Sequence, residues 1–138
     1  MTRYGVPRSS INPRMWIFVN NVMLINTTPH EIVFENGEIL SPAPPELSRL
    51  ISGKPTEEFI TTVDGIYIVH TTFYPNEDGV KFVEDIKRVS ENTGITILLI
   101  SSMISVNAFG FPVVSPIAVN PRAPPSERKC FIDKFNSR

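Results

Sequence analysis

The chain has 138 residues and a net charge of −1, with 41% hydrophobic and 20% charged residues. That length accommodates one domain with a real core, residues 1–138, and that composition excludes a disordered chain. No apolar stretch reaches the roughly 18 residues of a membrane span, and the N-terminus has no apolar core followed by a small-residue cleavage site. A single Cys130 cannot form an internal disulfide, so cytoplasmic residence and no membrane partner are expected.

The charge is unevenly placed. Arg3, Arg8 and Arg14 stand without an acid in residues 1–14, and residues 122–138 hold five bases against Glu127 and Asp133. The intervening body is acidic. Basic extended ends of this kind can dock on the acidic body of a second subunit, which predicts a homo-oligomer. A net charge of +6 split over two ends is too small and too scattered for a duplex nucleic-acid binder.

Residues 16–25, WIFVNNVMLI, are rich in β-branched and aromatic residues and predict strand, with Asn20-Asn21 as a turn or bulge. HEIVF and EIL flank Asn36-Gly37, the strongest short hairpin signal. The prolines of SPAPPELSRLISGKP make it a surface connection with one helical turn over Glu46 to Ile51. FITTV, Asp64-Gly65 and IYIVHTTF repeat the strand-turn-strand pattern.

Phe82, Val83, Ile86 and Val89 then recur at helical spacing, predicting a main helix over about 79–92, capped by Asp78 and ended by Gly94. ITILLI, 95–100, predicts a strand buried on both faces, and with strand 66–73 and the helix it forms a crossover unit. Ser101 or Ser102 caps a short helix over about 102–109, ended by Gly110. VVSPIAV predicts an edge strand and KCFIDKF a last one. The fold class is α+β, a mostly antiparallel sheet with one main and one short helix.

P-loop, Rossmann and nucleophile-elbow motifs are absent, and two histidines with scattered carboxylates form no metal-ligand spacing, so no metal and no cofactor are expected. His70-Thr71-Thr72 fits one half of a two-histidine phosphodiesterase motif, but His30-Glu31-Ile32 lacks the hydroxyl of the second half. A better constellation follows ITILLI. Hydroxyls and free N–H groups at the carboxyl end of a buried strand suit an anion, and Ser101, Ser102 and Asn107 lie there, with Arg122 and Arg128 as cationic partners. The competing reading is a helix cap and two surface arginines.

Four segments in order, INTTPHEIVFENGEI, DGIYIVHTTF, GITILLISSMISVNAF and PVVSPIAVNPR, resemble a family of small phage and prophage proteins that begin with an Asn-Leu-Thr-Pro-His-x-Ile hairpin. The resemblance covers about residues 22–122; Thr27 departs from the usual Leu, and the helix at 79–92 enlarges a short loop. It implies a viral or mobile-element protein. By analogy with the Thoeris anti-defence type, it further implies a counter-defence sponge that sequesters a nucleotide-like signal without cleaving it. In that reading Ser101, Asn107, Arg122 and Arg128 hold phosphates, while Phe82, Tyr74 or Phe109 stacks on a base. The same pattern implies that Thr28, Pro29 and His30 organise the hairpin, His30 through a ring nitrogen. The first expectation is therefore non-enzymatic binding of a small phosphorylated ligand. Its rivals are a structural or protein-inhibiting viral component and a phosphodiesterase centred on His70.

Overall fold

The computed structural model describes residues 2–3, 6–7 and 13–138; most of the N-terminal basic end lies outside the described residues. In chain order the strands are β1 (Thr2–Arg3), β2 (Val6–Pro7), β3 (Trp16–Val19), β4 (Val22–Asn26), β5 (Ile32–Val33), β6 (Ile39–Leu40), β7 (Gly53–Val63), β8 (Ile66–Pro75), β9 (Thr96–Ile100), β10 (Val113–Ala118) and β11 (Cys130–Asn136). The helices are α1 (Pro45–Leu50), α2 (Glu77–Thr93) and α3 (Met103–Phe109). The fold is α+β with mostly antiparallel pairing. No described helix is long and apolar enough to cross a membrane.

The body is a five-stranded sheet in the order β11-β10-β9-β4-β3. Its two outer pairings are antiparallel, whereas β4 runs parallel to β9 and β9 parallel to β10. Period-2 alternation divides the sheet's side chains between two cores. Ile25, Leu99 and Val113 face the helices with Leu47, Phe82, Val83 and Val106. Their neighbours Leu24, Ile100 and Val114 face the β5–β6 hairpin with Ile32, Phe34 and Leu40. Three layers result: helices, sheet and hairpin.

Turn chemistry sets the local joints. Asn20 takes φ 56° between β3 and β4, and Gly37 takes φ 92° between β5 and β6, where the Asn36 side chain accepts the Glu38 N–H at 3.0 Å. Asn76, rather than the expected Asp78, caps α2 by accepting the Gly79 N–H at 2.6 Å; Gly94 in left-handed conformation ends it. Ser102 caps α3 through the Ser105 N–H.

Two further expectations are corrected. β8 does not join β9 in a crossover unit; the parallel neighbours of β9 are β4 and β10. β10 is interior, not an edge, because β11 covers it. The last strand expected over KCFIDKF is present as Cys130–Asn136 at the sheet's end, and beyond it the Arg138 guanidinium donates to the Asn107 carbonyl at 2.8 Å.

The long hairpin β7–β8 stands apart as a sheet of its own. Its root packs on α3, where a Cβ on Gly53 would come within 3.1 Å of Ala108 and 3.2 Å of Ile104. Beyond the root both strands project as an arm, with residues 54–71 exposed.

Candidate functional site

Three adjacent parallel strands end at the same side of the sheet, and the backbone that leaves them lines one cavity of about 960 Å3. Thr27 to His30 follow β4, Ser101, Ser102 and Ser105 follow β9, and Ser115 and Pro116 lie on β10 past its pairing with β9. The crevice outside the carboxyl ends of parallel strands is where open α/β sheets place ligands. The remaining wall comes from Glu31 to Val33 at β5, from Ser48, Arg49, Ile51 and Ser52 at the end of α1, and from Pro125, Ser126, Arg128 and Cys130 before and at the start of β11.

The first wall is held by Asn26, a buried residue that sequence reasoning did not single out. Its side-chain amide donates to the His30 carbonyl at 2.8 Å and the Ser41 carbonyl at 2.9 Å, while Oδ1 accepts the Thr28 N–H at 2.9 Å. Thr28 Oγ1 completes the knot, 2.7 Å from Asn26 Oδ1 and 3.2 Å from the His30 N–H that donates to it. The hairpin entrance is thus organised by Asn26 and Thr28 acting on the backbone of His30, not by the imidazole. The expected ring-nitrogen bond is replaced by an exposed ring on the cavity wall. An Asn ending an apolar strand before Thr-Thr-Pro was the available signal, because that side chain competes for local backbone groups.

The inner wall is a row of anchored hydroxyls. Ser101 and Ser105 both donate to the Ile51 carbonyl, at 3.3 and 2.7 Å, and Thr27 Oγ1 donates to the Ile100 carbonyl at 2.7 Å. These bonds tie α1, β4 and β9 together and leave oxygen lone pairs as the accepting groups. Cations come from outside that row. Arg49 and Arg128 both line the cavity with His30, and among the described residues neither guanidinium has a carboxylate within ion-pairing distance. Arg128 is steadied by its own loop, donating to the Pro121 and Ala123 carbonyls at 3.3 and 3.0 Å. Burial pushes the Cys130 thiol up from its ordinary value, against a smaller opposing pull from Arg128.

Of the residues expected at a site, Ser101, Ser102, Arg128, Thr28, Pro29 and His30 meet at this cavity; Asn107, Arg122, Phe82 and Phe109 do not line it. Phe82 belongs to the helix-side core, and Phe109 packs against it, close to Gly79, so neither offers a face to a base. Asn107 is exposed on α3, and Arg122 lies in an exposed turn where its N–H meets Asn120 Oδ1 at 3.1 Å. Tyr74 is at the arm. His70 is also on the arm, across from Glu58, and does not share the cavity with His30. Arg49, which the sequence reading passed over, takes the place given to Arg122; it stands on the α1 face opposite Leu47 and Leu50, the position a polar residue takes on any amphipathic turn. Among the described residues no group of His, Cys, Asp and Glu is placed to hold a metal ion.

Compared with known proteins, the chain matches no family model, no curated protein and no solved structure.

Proposed function

We propose that the cavity at the carboxyl ends of β4, β9 and β10 binds a small phosphorylated, nucleotide-like ligand and holds it without turnover. The observation that carries this reading is the convergence of Arg49 and Arg128, from two separated segments, on one cavity shared with His30. Guanidinium groups fork onto phosphate oxygens. Anchored hydroxyls and the exposed Pro29 and His30 faces suit a sugar and a base. A volume of about 960 Å3 lies at the upper end of small-molecule pockets, large enough for a nucleotide-sized occupant. The Ser101 and Ser105 protons are engaged with the Ile51 carbonyl, which suits holding rather than nucleophilic attack by these two hydroxyls. Held in this way, a signalling nucleotide is sequestered, the role implied by the resemblance to phage proteins.

Native mass spectrometry of protein purified from a nucleotide-rich lysate tests the reading. A retained compound of nucleotide mass, lost or weakened about 10- to 100-fold by Arg49→Ala or Arg128→Ala, is expected for charge-assisted phosphate contacts. A bare chain that takes up no nucleotide from a panel contradicts it. The projecting β7–β8 arm favours a second reading, a structural or protein-inhibiting viral component, because an exposed two-stranded arm is an assembly element.

A further inference from the structure

We propose that the β7–β8 arm is an exchange arm for a second copy of this chain. In this arrangement β8 pairs antiparallel with the partner's β8, so that each apolar tip reaches the root of the other arm. The inference is independent of the ligand reading. Register places Val63, Ile66 and Ile68 on one face of the distal half, and Phe59, Tyr67 and Val69 on the other. The Phe59 and Tyr67 rings meet edge to face at 6.1 Å. Both faces are in solvent: Tyr67 is 73% exposed, Ile66 65% and Phe59 60%.

No described backbone hydrogen bond links residues 54–72 to the body. An isolated two-stranded hairpin is marginal in water. The six exposed apolar residues are divided between the two faces of the arm, three on each, with no other element covering them among the described residues.

The arm's composition selects its partner. Lys54 is the sole Lys or Arg in residues 53–75, against Glu57, Glu58 and Asp64, so a phosphate backbone is repelled. Asp64 sits in the turn at the very tip, which opposes insertion into a bilayer. The two edges differ as well. The β7 edge carries Pro55, Glu57 and Glu58, the residues that block edge pairing, whereas β8 from Ile66 to Tyr74 has no proline, glycine or carboxylate.

Pairing of β8 with its own copy is two-fold and self-complementary, and it sets no like carboxylates opposite one another. Strands of 10 residues span roughly 33 Å, so antiparallel arms carry each tip to the partner's root. There Tyr74 and the α3 residues Met103 and Ile104 lie exposed around the arm's base and form an apolar seat.

Sedimentation of the full chain at tens of micromolar tests this, using the wild type, Ile66→Lys/Tyr67→Lys, and a shortened arm lacking residues 59–63 and 66–70 with the Asp64-Gly65 turn kept. Wild type is expected at twice the 15.5 kDa chain mass and both variants at one chain mass, with unchanged far-UV circular dichroism from the body. A monomeric wild type overturns the proposal, whether or not it co-sediments with phosphatidylcholine vesicles or duplex DNA. So does a dimer that survives both variants. Met103→Lys on the partner seat gives a second reading: a dimer weakened at least tenfold, its dissociation constant raised by that factor, supports the crossed arrangement, and an unchanged dimer with monomeric arm variants overturns it.

Discussion

Asn26 is fully buried and serves four polar groups at the point where β4 gives way to the cavity wall. Removing its amide leaves the His30 and Ser41 carbonyls and the Thr28 N–H without that partner. Asn26→Ala is therefore expected to cost about 3 kcal/mol, read from urea unfolding, and Asn26→Asp nearly as much because the donors are lost. Cys130 gives a pH signature. Its raised pKa means that the folded thiol keeps its proton where the unfolded chain has lost it. The contribution of Cys130 to stability is thus full below the unfolded value and declines as pH rises through that value toward the folded one. Comparing thermal unfolding of wild type and Cys130→Ala from pH 7 to 10 reads this: the wild type is expected to lose stability relative to the variant only at the alkaline end, and parallel curves contradict it.

Elements depend on close approaches that single positions permit. At Gly79 the first turn of α2 crosses the end of α1 so tightly that an added Cβ would meet the Leu50 carbonyl and come within 2.7 Å of the Phe109 ring. Gly79→Ala is expected to destabilise the protein by about 1–3 kcal/mol despite the better helix propensity of alanine, with the loss visible in denaturant midpoints. A neutral or stabilising result would mean that the α1–α2 junction has room to shift. Elements governed by local chemistry were readable in the residues: the Asn36-Gly37 hairpin through its turn, α2 through the spacing of Phe82, Val83 and Ile86, and α3 through Ser102 and Gly110. The parallel pairing of β4 with β9 and of β9 with β10 was not readable, because nothing local in VMLIN, TILLI or VVSPIA states which strand lies beside which. The exposure of the arm was hidden for a related reason. IYIV reads as strand, and only the absence, among the described residues, of a third strand beside it shows that its apolar faces are free within one chain.

At the scale of the whole molecule, the pocket depends on segments distant in sequence arriving at one end of the sheet. Arg128 reaches the cavity because its segment leads into β11 at the sheet edge, and Arg49 because α1 caps the same end. The serine half of the site could be inferred from Ser101 and Ser102 following a buried strand. Of the cationic half Arg128 could be inferred and Arg49 could not, since Arg49 lies some fifty residues from that strand and differs in no local feature from any helix-surface arginine. The basic C-terminal residues also serve the chain itself: Arg128 holds its own loop and Arg138 holds α3. That shifts the case for self-association from charge at the ends to the apolar arm.

The central claim is a cavity whose two arginines receive phosphate. Calorimetric titration of the purified chain with a nucleotide panel and the matching nucleosides tests it most directly. The account predicts binding of a phosphorylated member that falls at least tenfold for its nucleoside and for Arg49→Ala and Arg128→Ala alike. Equal affinity for nucleoside and nucleotide, or binding untouched by both arginine variants, would contradict it.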